Sequence, residues 1–362
     1  MPDFLIKILN LMKKLTAIAL LSIALVSCKK ETKTITKVDP QTGKTTTVEV
    51  STDSIKSENS SVSAAPVMAI NDSAGVFHQT FVLEKGKSYP LITIQKDVQT
   101  LTAPNGQSQS GTSETTDEMS FLVNGFDKGV YDITINLLGK KNTQSSGGKS
   151  VSIDTKAAEP KEEQFKMMWK VNKALVGNTL NMKMDSKGNV KSITGFEPIY
   201  GKISASVNAL VKDAKDKEEF VKSFKASFNE KVLKEQFTKN LVLFPAKGVK
   251  VGESWSEHEN ATPDGKVKLT TTYVFKGVQN GVAEIAVSGG IPKKSDKQTQ
   301  QQMTRTMSSE LAQNGKILLD QSSGWIKNQT MHVKTSQTET LSDGKQTQTM
   351  KSVSNSTVTV NP

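Results

Sequence analysis

The chain of 362 residues has one cysteine, Cys28, one arginine, Arg305, and three histidines. A single cysteine excludes an intrachain disulfide and any zinc or redox site built on several thiolates. Arginine reads guanines and phosphates through paired hydrogen bonds, so its near absence argues against nucleic-acid binding despite a formal charge of +11. The excess is lysine, the pattern of a solvated surface working near anionic lipid or polysaccharide.

Long hydrophobic runs are also scarce. The one that stands out, Leu15 to Val26, falls short of the roughly 20 apolar residues that span a bilayer. Lys13 and Lys14 precede it and Ser27-Cys28 follows, which is the layout of a secretory signal. Leu25-Val26-Ser27-Cys28 resembles the bacterial lipobox, which implies cleavage before Cys28 and a lipid anchor on its sulfur and new amino terminus. Met12-Lys13-Lys14 is itself a complete signal start, so residues 1–11 read as an upstream extension. Lys7, Lys13, Lys14 and Asp3 precede the cut, so cleavage lowers the formal charge from +11 to +9. Lys29 follows the cysteine where an acidic residue would suggest inner-membrane retention, which makes the outer membrane the expected address, on either its periplasmic or its surface face.

Residues 28–74 are rich in Ser, Thr and Lys and read as a tether with a reach of about 40 Å. Within it, Ile35 to Val50 could form a hairpin around Asp39-Pro40 and Thr42-Gly43. From Gly75 the period is two, with strands expected at Leu91–Ile94, Ser120–Asn124, Val130–Leu138 and Val151–Lys156.

The chain also repeats itself. Phe121-x3-Gly125-x3-Gly129-Val130-x2-Ile133-x-Ile135 recurs without gaps as Tyr273-x3-Gly277-x3-Gly281-Val282-x2-Ile285-x-Val287. Gly86-Lys87-Ser88-Tyr89 is echoed by Gly252-Glu253-Ser254-Trp255, and Asp185-x2-Gly188-x-Val190 by Asp320-x3-Gly324-x-Ile326. The glycines fall where hairpins must reverse, so the unit reads as a β-meander built twice, over 75–199 and 245–362, in one sheet or two.

Between the halves, 200–244 changes to helical period, with Phe220, Phe224 and Phe228 on one face, Val232, Leu233 and Phe237 on another, and Asn229 as a cap. A further helix is expected over Pro160 to Val176, opened by Pro160, with Glu162 and Glu163 in its first turn. The fold class is therefore α+β, mainly antiparallel, two repeated meanders in a curved sheet under a helical insert.

No catalytic residue, cofactor or metal site emerges. His78, His258 and His332 lie in three separate strand segments, and His258-Glu259 lacks a second histidine at Thr262. Gly148-Lys149-Ser150 resembles the end of a phosphate loop, but Thr143 stands where the first glycine belongs and a strand follows. Glu253, Glu257 and Glu259 surround Trp255 and share one strand face, an arrangement that could serve sugar chemistry and that a solvated charged face explains equally well. Trp169, Trp255, Trp325 and the phenylalanines of the insert are pocket candidates or plain core.

The lipobox, the Ser/Thr tether, the two Gly-x-Ser-aromatic openings, Phe244-Pro245 and Tyr273-Val274-Phe275 together resemble an uncharacterised family of Bacteroidota lipoproteins, over most of 77–335. The resemblance implies an envelope location and this architecture, and it brings no established activity. The expected function is non-enzymatic: a protein anchored to the membrane through Cys28 that binds an apolar or glycan ligand, or alternatively a scaffold contacting envelope proteins. A glycan hydrolase is the third reading.

Overall fold

The alternating Ser, Thr and Val pattern of the chain produces strands far longer than its apolar positions alone mark. In the computed structural model the described residues are 35–38, 45–48, 68–262, 265–300 and 303–362. Cys28 and the signal segment lie outside them. A small hairpin pairs β1 (Ile35–Val38) with β2 (Thr45–Val48), at the place where the sequence suggested one. A second pairs β3 (Ile70–Ser73) with β4 (Val76–Gln79). Ala69 and Ile70 are fully buried, so the folded part begins before residue 75, where the tether was expected to end.

The remaining strands are β5 (Ser88–Thr102), β6 (Ser108–Asp127), β7 (Val130–Ser146), β8 (Lys149–Asp154), β9 (Thr179–Asp185), β10 (Val190–Thr194), β11 (Ser254–Asn260), β12 (Lys268–Gln279), β13 (Val282–Gln300), β14 (Met303–Asp320), β15 (Ile326–Ser342) and β16 (Thr347–Val360). They form one curved, open, antiparallel sheet of twelve strands in the order β10-β9-β7-β6-β5-β16-β15-β14-β13-β12-β11, with β8 paired to β7. The two meanders thus share a single sheet, and β16 joins them by pairing with β5.

The repeat is structural as well as sequential. Phe121 pairs with Ile135 and Val123 with Ile133, as Tyr273 does with Val287 and Phe275 with Ile285. The register slips at the same place in both, between Val123 and Gly125 and between Phe275 and Gly277. Both hairpins close through two residues of positive φ, Lys128-Gly129 and Asn280-Gly281, the backbone of a tight reversal whose twist matches its strands.

Strand lengths depart from expectation. The segment read as Ser120–Asn124 belongs to a strand of 20 residues, about 65 Å long, because Ser108 to Asp117 has polar side chains on both faces and no apolar period to betray it.

Four helices lie on one face: α1 (Glu163–Leu175), α2 (Phe196–Leu210), α3 (Ala214–Ser227) and α4 (Glu230–Leu241). The first starts three residues after Pro160, with Glu162 at the cap position, and the insert starts at Phe196 instead of Tyr200. Asn229 caps α4 as read, accepting from Val232 N at 3.1 Å. The core is built wholly between Ala69 and Val360. Phe121 meets Phe237 of α4 at 5.3 Å and Trp325 at 5.1 Å, while Phe244 meets Phe275 at 5.0 Å. Side chains of both sheet halves therefore converge on one helical layer.

Helix α4 ties both edges of the sheet. Near its start, Ile193 N in β10 donates to Glu230 Oε1 and Lys234 Nζ donates to the Lys191 carbonyl at 2.7 Å. Near its end, Lys239 pairs with Glu259 of β11 at 2.8 Å. Backbone groups of edge strand β10 that would invite another chain are thus occupied.

Candidate functional site

Directly paired antiparallel residues point to the same side, so the face that carries the core can be followed along each strand beyond it. One row reads Val287, Gly315, Met331, Val358, Gln95, Thr115 and Asn142 across seven strands. Another, further out, runs Met307, Glu339 and Met350. The inner face thus passes from apolar core to a polar layer, and then to a mixed surface.

In the polar layer, Lys140 pairs with Asp117, with 11% and 23% of their side chains exposed. Asn142 donates to Thr115 Oγ1 at 3.1 Å and receives Asn172 Nδ2 of α1 at 3.0 Å. Gln313 donates to Thr271 Oγ1 at 2.6 Å. Gln95 donates to both oxygens of Asp97, which leaves its buried Oε1 without a partner among the described residues. A free acceptor on that layer suits a hydroxyl or amide donor. Beyond it, Leu101, Leu341 and Met350 stand 38–46% exposed on the same face, uncovered by the helices and flanked by Ser, Thr and Gln.

The opposite face of this outer half is mainly polar, with Val98 and Val353 among its Ser, Thr and Lys residues. Thr330, His332, Lys334, Ser336 and Thr338 succeed one another on β15, and His332 and His258 each sit beside a threonine hydroxyl, at 3.1 and 3.0 Å.

The pocket candidates from the sequence separate into distinct roles. Trp325 is core, donating Nε1 to the Pro90 carbonyl at 2.8 Å, and Trp169 donates to the Asp154 carbonyl at 3.0 Å. Phe224 and Phe228 are buried against each other and against Tyr200 and Phe196 of α2, and Phe237 against Phe121 of the sheet, so these phenylalanines are packed core. A shallow hollow of about 530 Å³ lies where Gly289 to Lys293 runs beside Glu310 and Lys334.

Trp255 stacks on Tyr273 at 5.4 Å with 16° between rings, and its buried Nε1 has no partner among the described residues. Burial pushes the Tyr273 hydroxyl up, and the charges of Glu257 and Glu259 push it further. Two of the three carboxylates are ion-paired. Glu259 is engaged by Lys239, and Glu253 by Lys247 and the Lys250 amide. Burial works to raise the Glu253 carboxyl, but those hydrogen bonds outweigh it and hold it below the ordinary value. Gly148-Lys149-Ser150 is the reversal from β7 into β8, a strand. Among the described residues, no three His, Cys, Asp or Glu side chains gather as metal ligands.

The outer rows of the inner face are only partly legible in the sequence. Met303, Arg305, Met307 and Leu311 show the alternation, whereas Leu101, Leu341 and Met350 are isolated apolar residues in polar strands, a faint signal of the same kind.

Fold and site define a protein with one large open β-sheet, a helical layer over its core and a bare inner face beyond. A family profile described as "Family of unknown function (DUF6263)" matches residues 128–326, more than half of the sequence, and the chain belongs to that family. No curated protein matches it. Among solved structures, lipovitellin, studied for lipid–protein interactions, aligns with 76% of the chain at 13% identity and a TM-score of 0.33. The chain spans only 25% of the lipovitellin chain. A Rhodopseudomonas blastica porin mutant aligns with 75% of it at 7% identity and a TM-score of 0.17, over 100% of the porin chain.

Proposed function

We propose that the chain is an exported lipoprotein, acylated at Cys28 and held on the outer membrane of the cell envelope, that binds an apolar or glycan ligand without transforming it. The signal layout and lone cysteine support the anchor. The binding role is carried by one observation: beyond the core, the inner face offers Leu101, Leu341 and Met350 beside amide and hydroxyl side chains, above a buried acceptor, Gln95 Oε1. Such a surface suits an extended amphipathic molecule better than a small enclosed one. Lysine pairing of Glu253 and Glu259 supports a non-enzymatic reading.

The test is mass spectrometry of organic extracts from the purified chain beginning at Met68, against a mock purification. A stoichiometric lipid or glycolipid that is lost when Leu101 and Met350 become glutamate supports the binding role. An empty extract sinks it and favours the second reading, a scaffold. That alternative has its own support in the polar ladder of the opposite face, and crosslinking in the envelope would identify the proteins it touches. Intact mass of the membrane fraction, compared with Cys28→Ser, decides the anchor.

A further inference from the structure

The two most exposed large apolar side chains among the described residues are Val251, at 58%, and Phe126, at 54%. Both sit at the core end of the sheet, Phe126 as the last residue but one of β6 and Val251 in a turn. Phe126 lies just before the β6–β7 reversal with its ring against Tyr131. Val251 precedes β11 and lies over Gly277, near the β12–β13 reversal.

The chain comes into the fold at this same end. Ala69 N and Ile70 N donate to the carbonyls of Ser322 and Gln321, in the turn between β14 and β15. Met68, immediately before, is 37% exposed.

Lysine predominates at this end. Lys85, Lys128, Lys187 and Lys250 are exposed in its turns and Lys276 near the end of β12, and none of the five is ion-paired among the described residues. Of the nearby acids, Glu84 is engaged by Lys87, Asp185 by Lys191 and Glu253 by Lys247, while Asp127, between Phe126 and Lys128, is exposed.

From these placements we infer that the core end of the sheet docks on an anionic lipid surface. Phe126 and Val251 enter the headgroup boundary and the five lysines lie over the phosphates. Apolar tips ringed by lysine are what such a surface retains. The inference rests on the reading that the N-terminal segment is lipid-anchored, since that anchor brings this end to the membrane. Docking in this orientation turns the open inner face away from the lipid.

The test uses the chain from Met68 to Pro362, which holds the whole core and lacks Cys28. Co-sedimentation with mixed phosphatidylglycerol and phosphatidylcholine vesicles is compared with phosphatidylcholine alone. Binding is expected on the anionic vesicles only. It should fall roughly fivefold for each lysine replaced by glutamine and further in Phe126→Ser with Val251→Ser, with the thermal midpoint confirming that each variant folds. A Phe126→Trp variant should shift its added emission to the blue on anionic vesicles.

Failure to bind, equal binding to neutral vesicles, or binding indifferent to these substitutions overturns the inference. Acylation of Cys28 in the full chain is read separately, so a lipidated chain whose soluble part ignores vesicles sinks the docking and leaves the anchor standing.

Discussion

Asp185 and Asp320 stand at equivalent points of the two repeats and do the same work. Asp185 accepts from the Lys187 and Asn189 amides, and Asp320 from the Ser323 amide. Burial alone would raise both carboxyls, but hydrogen bonds from Lys191 and Asn189 in one case, and from Ser322 and Ser323 in the other, hold both below the usual value. A folded-state pKa below the unfolded one means a contribution present above the unfolded value, near 4, and lost as pH falls from there toward the folded value. Urea midpoints of the native chain should therefore drop on acidification from about pH 5 to 2. The Asp185→Asn, Asp320→Asn double variant should start lower at neutral pH and lose less over that window. Parallel slopes in the two proteins would contradict this. Gly290 supplies a steric counterpart: a Cβ there would lie 2.0 Å from the Leu311 carbonyl oxygen. Gly290→Ala must move one strand off the other, and a loss of about 2 kcal/mol or more in chemical denaturation is expected.

Helix α4 carries more of the architecture than its 12 residues suggest. Phe237 is 4% exposed against Phe121, so Phe237→Ala should cost about 3–5 kcal/mol. Asn229→Ala removes only the cap and should cost about 1 kcal/mol. Thermal unfolding of the pair separates packing from capping, and equal losses would mean that the helix is held by something else. This cap was legible in the sequence because a side-chain acceptor before an apolar period is a local signal. The hairpin glycines, the repeat and the antiparallel class were legible for the same reason. The length of β6 was not, since a strand solvated on both faces has no apolar alternation to read. Nor was the fate of Phe224 and Phe228, because spacing says that they share a face and cannot say that Phe196 and Tyr200 of α2 pack against it.

The order of the twelve strands makes the two repeats inseparable. Moving across the sheet from β11, the second meander comes first, then β16, then the first meander from β5 outward. The chain therefore leaves the finished first half at one edge, crosses through the helical insert to the opposite edge, and works back to close against the strand where it began. Trp325, from the second half, packs on Phe81, Tyr89 and Phe121 of the first, and Phe77 bridges to Val249. Ancestral duplication would explain the repeat, but the present core belongs to both copies at once. Chains of 68–244 and 245–362 expressed apart should lack the near-ultraviolet dichroism of a packed core, because each would expose the apolar face that the other covers. Expressed together they should associate one to one and recover it, held by the β5–β16 ladder as well as by the core. A first half that folds alone, with a cooperative thermal transition, would show that the helical insert suffices to cover its sheet and that the second meander is an addition to an already complete domain.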